Sequence, residues 1–255
     1  MSQNKRAPAF FAGHGNPMNA IENNEFTRSL NSLGKSIEKP KAILAISAHW
    51  YVPYAAVSVH ESDELMYDMF GFPDKLYEVE YKAENSDFLI SKLQLEYEYV
   101  KVENRGLDHG VWSILVHLFP DADIPVTQIS INSNLSLKEH YELGRRLSVL
   151  RDEGVMIIAS GNVTHNLREV NWASGAKAES WAVDFDRYIA DAIVNKDFES
   201  LIDVTSPYFN LAHPTIEHYI PLLYIAGAMN DEDESSFTYE GIELGTMSMR
   251  NWLVK

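Results

Sequence analysis

Two stretches of the chain are apolar almost without interruption, Ala42 to Ala48 (AILAISA) and Val155 to Ser160 (VMIIAS). A run that does not alternate is the pattern of a strand buried on both faces. Pro8 to Gly13 is a third short apolar run, ending at glycine, and reads as the first strand. Between these runs the apolar positions recur every three or four residues. Phe26, Leu30, Leu33 and Ile37 predict a helix over Glu22 to Ile37, which Pro40 stops. Ser136 to Arg151 and Glu179 to Val194 show the same spacing, and Gly154 ends the former. Asn85 to Leu95, His109 to Phe119 and Thr215 to Met229 also read as helices, the last with a kink at Pro221. Ala55 to Val59, Tyr97 to Val102 and Ile124 to Ile131 read as strands, with one or two more between Phe237 and Val254. Strands and helices alternate, which predicts an α/β fold with a central mixed or parallel sheet flanked by helices.

No repeat, low-complexity tract or Gly/Ser/Pro linker divides the 255 residues, so residues 1–255 read as one domain. The apolar share of 45% suffices for a large core. A net charge of −16 argues against nucleic acid or an anionic membrane as partner. The chain has no cysteine, which removes disulfides, thiolate ligands and cysteine nucleophiles and leaves nitrogen and oxygen for any metal. Met1 to Pro8 has no signal-peptide core and no run reaches the length of a membrane span, so the expected location is cytoplasmic. The acidic stretch Asp231 to Glu234 reads as a solvated loop.

The nine histidines matter by placement. His14 sits between glycines (GHGNP) after the first strand, His49 follows AILAISA, and His165 follows VMIIAS across GNVT. Three apolar strands thus each end in a histidine. In open α/β sheets ligands bind at the strand carboxyl ends, so these imidazoles are expected to converge there on one divalent metal ion. A lone histidine at a strand end is more often a hydrogen-bonded structural residue; joint placement favours the metal reading. His109 starts a buried helix, where a structural and a catalytic role compete. His218 is adjacent to Glu217, and on one helix the two would face different ways. His213 reads as a turn residue, and His60, His117 and His140 as structural or exposed. Ser160 and His165 in SGNVTHN could suggest a nucleophile and base, but no GxSxG elbow or nearby acid accompanies them.

At these positions the chain resembles the DODA-type (4,5-DOPA extradiol dioxygenase-like) branch of the class III ring-opening dioxygenases, the LigB superfamily. The resemblance is carried by GHGNPMNA, SAHW, DHGVWSIL, DADIPVTQISI, ASGNVTHNLR, EHYIPLLYIAGA and GIELGTMSMR, in order along almost the whole chain. It implies metal ligation by His14, His49 and His218, with Glu217 as the alternative third ligand. It implies that His165 stands beside the metal, as acid–base catalyst or as a further ligand when the ion is zinc, and that His109 contacts substrate or supports the site. The implied cofactor is Fe(2+), with Zn(2+) as an alternative occupant, and the implied reactants are a small catechol such as DOPA and O2.

On that reading His165 takes the second catechol proton and later returns it. Two rivals stand beside it. One is a zinc hydrolase with Glu217 or Asp108 as general base. The other is a non-enzymatic metal-binding protein of the Memo type, a branch of the same superfamily. Arg105 and Arg168 are candidates for an anionic substrate tail, with ordinary surface pairing as the alternative.

Overall fold

The computed structural model describes residues 6–61, 64–173 and 175–255. Met1 to Lys5, part of the N-terminal segment read above, lie outside the described residues. The elements are β1 (Ala9–Gly13), α1 (Glu25–Ser36), β2 (Ala42–Val52), β3 (Ala56–Val59), α2 (Asp87–Tyr97), β4 (Val100–Glu103) and α3 (His109–Leu118). There follow β5 (Val126–Asn132), α4 (Leu137–Leu147), α5 (Val149–Asp152), β6 (Val155–Gly161), α6 (Ser180–Val194), α7 (Phe198–Ile202) and α8 (Phe209–Ala212). The chain closes with α9 (Ile220–Ala228), β7 (Ser235–Tyr239), β8 (Ile242–Glu243), β9 (Met247–Ser248) and β10 (Asn251–Val254).

Eight strands form one sheet in the order β4-β3-β5-β2-β6-β1-β10-β7. Its centre is parallel, β5-β2-β6-β1, so the carboxyl ends of these four strands share one edge. β10 runs antiparallel to β1 and β3 antiparallel to β5, which makes the sheet mixed. Because side chains alternate along a strand, each central strand feeds two cores. Phe10, Ile43, Ala45, Met156 and Ile158 pack with Phe26 and Leu30 of α1 and Trp112 and Leu115 of α3. Phe11, Leu44, Ile46, Ile157 and Ala159 pack on the other face with Leu147, Phe185, Leu222 and Tyr224. Helices cover both faces, as the unbroken apolar runs require.

Local chemistry explains several boundaries. α1 starts at Glu25, later than the periodicity predicts, because Asn24 and Thr27 form a capping box. Ser136 and Glu139 cap α4 in the same way. The predicted helix 136–151 breaks at Ser148 into α4 and α5. Tyr97 ends α2 and does not open a strand; Glu98 takes a left-handed φ of 60° and β4 begins at Val100. The predicted helix from Thr215 begins only at Ile220. Pro221 lies in its first turn, where a missing N–H costs nothing, so no kink arises. The tail holds four short strands, of which β7 and β10 join the main sheet. In the acidic stretch, Asp233 is not solvated: its side chain is 5% exposed and pairs at 2.6 Å with the fully buried Arg151. No helix among the described residues is long and apolar enough to cross a membrane.

Candidate metal centre

The register of the sheet brings the strand-end histidines to one level. Gly13 pairs with Gly161 and Ser47 with Ser160. His14 extends this ladder by one residue, its N–H donating to the Gly161 carbonyl at 3.1 Å. Its Nδ1 lies 2.8 Å from Ser160 Oγ, and that hydroxyl donates to the Gly110 carbonyl at 2.5 Å. With its hydrogen committed, Ser160 can only accept from His14, which puts the imidazole hydrogen on Nδ1. The lone pair on His14 Nε2 therefore faces His49 Nε2, 3.2 Å away. Ser160 thus orients an imidazole and is not paired as a nucleophile with His165.

His49 does not follow its strand. It lies inside β2, where pairing with β5 slips between Ile46 and Tyr51, an irregularity of the kind that re-aims side chains. His109 opens α3, and its ring centroid is 3.9 Å from that of His49. Gly110 permits this approach: a Cβ there would sit 2.6 Å from Ser47 Oγ and 2.9 Å from His49. Among the described residues, His14, His49 and His109 form a group whose ligand atoms all lie within 4.8 Å of one another. Asp68, which the pattern of the sequence did not single out, closes this side. Its Oδ1 is 2.9 Å from His109 Nδ1, and its Oδ2 is 3.4 Å from His49 Nδ1. A lone carboxylate in an irregular segment has no spacing signature by which it could have been found.

His218 enters from the turn before α9, so Glu217 and His218 do not share a helix. The His218 carbonyl packs on Gly161, where a Cβ would stand 2.2 Å from it, and accepts from Asn162 N–H at 2.9 Å. The His218 ring centroid lies 5.0 Å from His49 and 5.4 Å from His14. His165 stacks on His218 at 3.5 Å, 1° from parallel. The loop carrying His165 is clamped from two sides. His165 N–H donates to Ala212 O, and His213 Nε2 donates to Val163 O at 2.8 Å. Thr164 Oγ1 bonds the Thr246 carbonyl and accepts from Ser248 N–H, which ties the terminal TMS segment to the site.

Burial dominates the electrostatics. It holds His14 well below the ordinary histidine pKa, reinforced by the imidazoles of His49, His218, His109 and His165. Burial and then His109 bring His49 to about 4, against the opposing pull of Asp108, Asp68 and Glu217. His165 falls to about 4 through burial and then His49. His218 is held well below its ordinary value by burial and then His165. Burial alone would raise Asp68, but the hydrogen bond from His109 outweighs it and leaves the carboxyl at about 2. These rings are neutral at pH 7, the form that binds metal.

The donor set fits a divalent ion. Two nitrogens on one tetrahedral ion stand about 3.3 Å apart, near the 3.2 Å between the Nε2 atoms of His14 and His49. Both ring nitrogens of His218 are buried without a hydrogen-bond partner, unlike those of any other histidine among the described residues. A buried donor or acceptor left unpaired costs about 1–3 kcal/mol, which a bound ion would relieve.

The remaining candidates lie elsewhere or are committed. His60, His117 and His213 bond backbone carbonyls, and the fully buried His140 bonds Tyr224 OH at 3.1 Å. Asp108 is buried, bonded to Gln128 Nε2 at 2.5 Å and in contact with Arg105 at 3.4 Å, so it is not a free general base. Arg105 stacks on Trp50 at 4.2 Å and pairs with the buried Asp108, so its pairing is not that of an ordinary surface residue. Arg168 is exposed. Glu217 Oε1 accepts from Thr215 Oγ1 at 2.8 Å and lies 3.4 Å from His218 Nδ1.

A mixed α/β sheet with imidazoles gathered at its parallel carboxyl edge has the donor set of a histidine-based metal site. The model of the catalytic LigB subunit of aromatic ring-opening dioxygenases matches residues 8–249, and the chain belongs to that family. It is 40% identical to the 4,5-DOPA dioxygenase extradiol of Escherichia coli (strain K12), over 96% of this chain and 93% of that one. It is 37% identical to the protein of the same name from Beta vulgaris, over 97% and 96%. The crystal structure of an uncharacterized Escherichia coli K12 protein superposes with a TM-score of 0.85 at 37% identity, covering 98% of this chain and 100% of that one. The protein is accordingly an extradiol ring-opening dioxygenase, and the non-enzymatic and hydrolase readings give way.

Proposed function

We propose that this dioxygenase is iron(II)-dependent and opens the ring of a small catechol such as DOPA with O2. In this reading His14, His49 and His218 hold the ion, and His165 stands beside it as acid–base catalyst. The supporting observation is the pair of Nε2 atoms of His14 and His49, 3.2 Å apart, with the buried His218 ring, whose nitrogens make no hydrogen bond, beside them. The relatives named for DOPA cleavage support the substrate class.

An iron(II) ion held by His14, His49 and His218 would supply the redox chemistry between catechol and dioxygen. The chain supplies the proton handling. His165 is neutral at pH 7 because burial and His49 depress its pKa to about 4, so its ring nitrogen has a lone pair free to accept the second catechol proton. Its backbone anchor to Ala212 and its stack on His218 fix the ring, which helps it return the proton to the product side. His109, presented by the start of α3, lies against the rings of His14 and His49, and in this reading it contacts a substrate hydroxyl.

The test is oxygen uptake with visible absorbance, using metal-stripped protein reloaded anaerobically with iron(II) and given a catechol panel that includes DOPA. Oxygen consumption with a yellow semialdehyde is expected. No uptake with iron confirmed bound would overturn the proposal, and activity with zinc or manganese in place of iron would overturn its choice of metal.

A further inference from the structure

We propose that Asp68 is a positioning residue that holds His49 and His109 in one shared tautomer, hydrogen on Nδ1 and lone pair on Nε2, and so aims both Nε2 atoms into the site. A carboxylate only accepts. Its Oδ1 lies 2.9 Å from His109 Nδ1 and also accepts from the His109 backbone N–H at 3.0 Å. Its Oδ2 faces His49 Nδ1 at 3.4 Å, where a lone pair on that nitrogen would be repelled. One carboxylate thus governs two imidazoles whose centroids are 3.9 Å apart.

The segment carrying Asp68 is built to hold it still. Met66 N–H donates to Leu107 O at 2.8 Å, and Trp112 Nε1 donates to Met66 O at 2.9 Å. Tyr67 OH donates to Val79 O at 2.8 Å. The anchor points at 107 and 112 flank His109, so carboxylate and imidazole move as one body.

The consequence joins the two sides of the centre. Ser160 fixes the lone pair of His14 on Nε2, and Asp68 fixes that of His49 on Nε2. Two lone pairs then face each other at 3.2 Å, an arrangement that repels until a cation lies between them. Asp68 and Ser160 together preorganise the site for an ion, in the way outer partners orient metal-binding histidines.

This inference rests on the metal-centre reading for its consequence, but its core is testable without metal. Long-range 1H–15N NMR of the metal-free protein at pH 7.5 should show His109 as the Nδ1–H tautomer. Asp68→Ala should convert it to a mixture, and the isosteric Asp68→Asn, which keeps one acceptor oxygen, should shift it less. A wild-type His109 carrying its hydrogen on Nε2, or one unmoved by either variant, overturns the proposal. Cobalt(II) titration then reads the consequence: Asp68→Ala should bind about 10–100-fold more weakly with an altered visible spectrum. Wild-type affinity and spectrum in both variants also overturn it. If Asp68→Ala does not fold, Asp68→Asn carries both measurements. A wild-type protein that binds no cobalt(II) defeats the metal-centre reading, while the His109 tautomer still decides the role of Asp68.

Discussion

The imidazole of His165 lies flat on that of His218, with centroids 3.5 Å apart and planes 1° from parallel. Burial and then His165 hold His218 well below its ordinary pKa, while burial and then His49 lower His165. The stack separates two roles. His218 is buried with both nitrogens unpartnered, whereas His165 is the more open ring. His165→Ala is therefore expected to keep most of its metal and lose turnover by about 10²–10⁴-fold. His218→Ala is expected to lose the metal itself. Metal analysis beside oxygen uptake checks both, and unchanged turnover in His165→Ala would remove that residue from the reaction.

Acid should destabilise the metal-free protein early. An unfolded histidine titrates near 6.5, whereas burial holds His49, His165, His140 and His213 at about 4 in the fold. Between those values the unfolded chain binds more protons than the folded one. The contribution is fully present above pH 6.5 and is lost as the pH falls toward 4. Each such ring contributes on the order of 3 kcal/mol across that window. Urea midpoints should fall steeply from pH 7 to pH 5, and bound metal should be released over the same range. A flat midpoint over that interval contradicts the buried neutral state of these rings.

Gly161 is the point on which His218 rests. A Cβ at this position would stand 2.2 Å from the His218 carbonyl and 3.1 Å from Pro221. Gly161→Ala must push away the turn that carries His218, at a cost of about 1–3 kcal/mol in overpacking. The displacement should also weaken metal binding, although Gly161 offers no ligand. Isothermal titration with zinc, paired with a urea curve, reads both. Wild-type affinity in this variant would mean that the turn is not held by this contact.

The parts of the molecule that could be read before its structure are those that depend on one strand or one helix at a time. AILAISA and VMIIAS are the central strands because both of their faces are covered, and an unbroken apolar run carries that information in itself. The approach of His14 and His49 at the parallel carboxyl edge was legible for the same reason, but the third histidine within ligand distance of them is His109 from the start of α3, and His165 stacks instead on His218. What escaped depends on contacts distant in sequence. Asp68 acts on His109 from 41 residues away, and Ser160 acts on His14 from 146. The true start of α9 escaped because the apolar periodicity runs through the turn that carries His218. Only the packing of that turn on Gly161 shows that the helix has not yet begun.

Arg151 shows why a charge far from the metal centre matters to the fold. Its side chain is fully buried. Its Nε donates to Ala7 O at 2.8 Å, and one terminal nitrogen donates to Ala228 O at 2.7 Å. The fork closes on both oxygens of Asp233, at 2.6 and 3.1 Å. The guanidinium therefore ties the entry to β1, the end of α9 and the acidic loop before β7. Asp233→Ala leaves that charge buried without its counterion and should cost about 3–5 kcal/mol. Replacing both partners with apolar residues, Arg151→Met with Asp233→Leu, removes the stranded charge and should cost clearly less than Asp233→Ala alone. Urea unfolding of the three proteins provides the comparison, and metal affinity of the folded fraction should stay unchanged in each. A double variant less stable than the single one would mean that the hydrogen bonds to Ala7 and Ala228, and not the ion pair, hold these segments together.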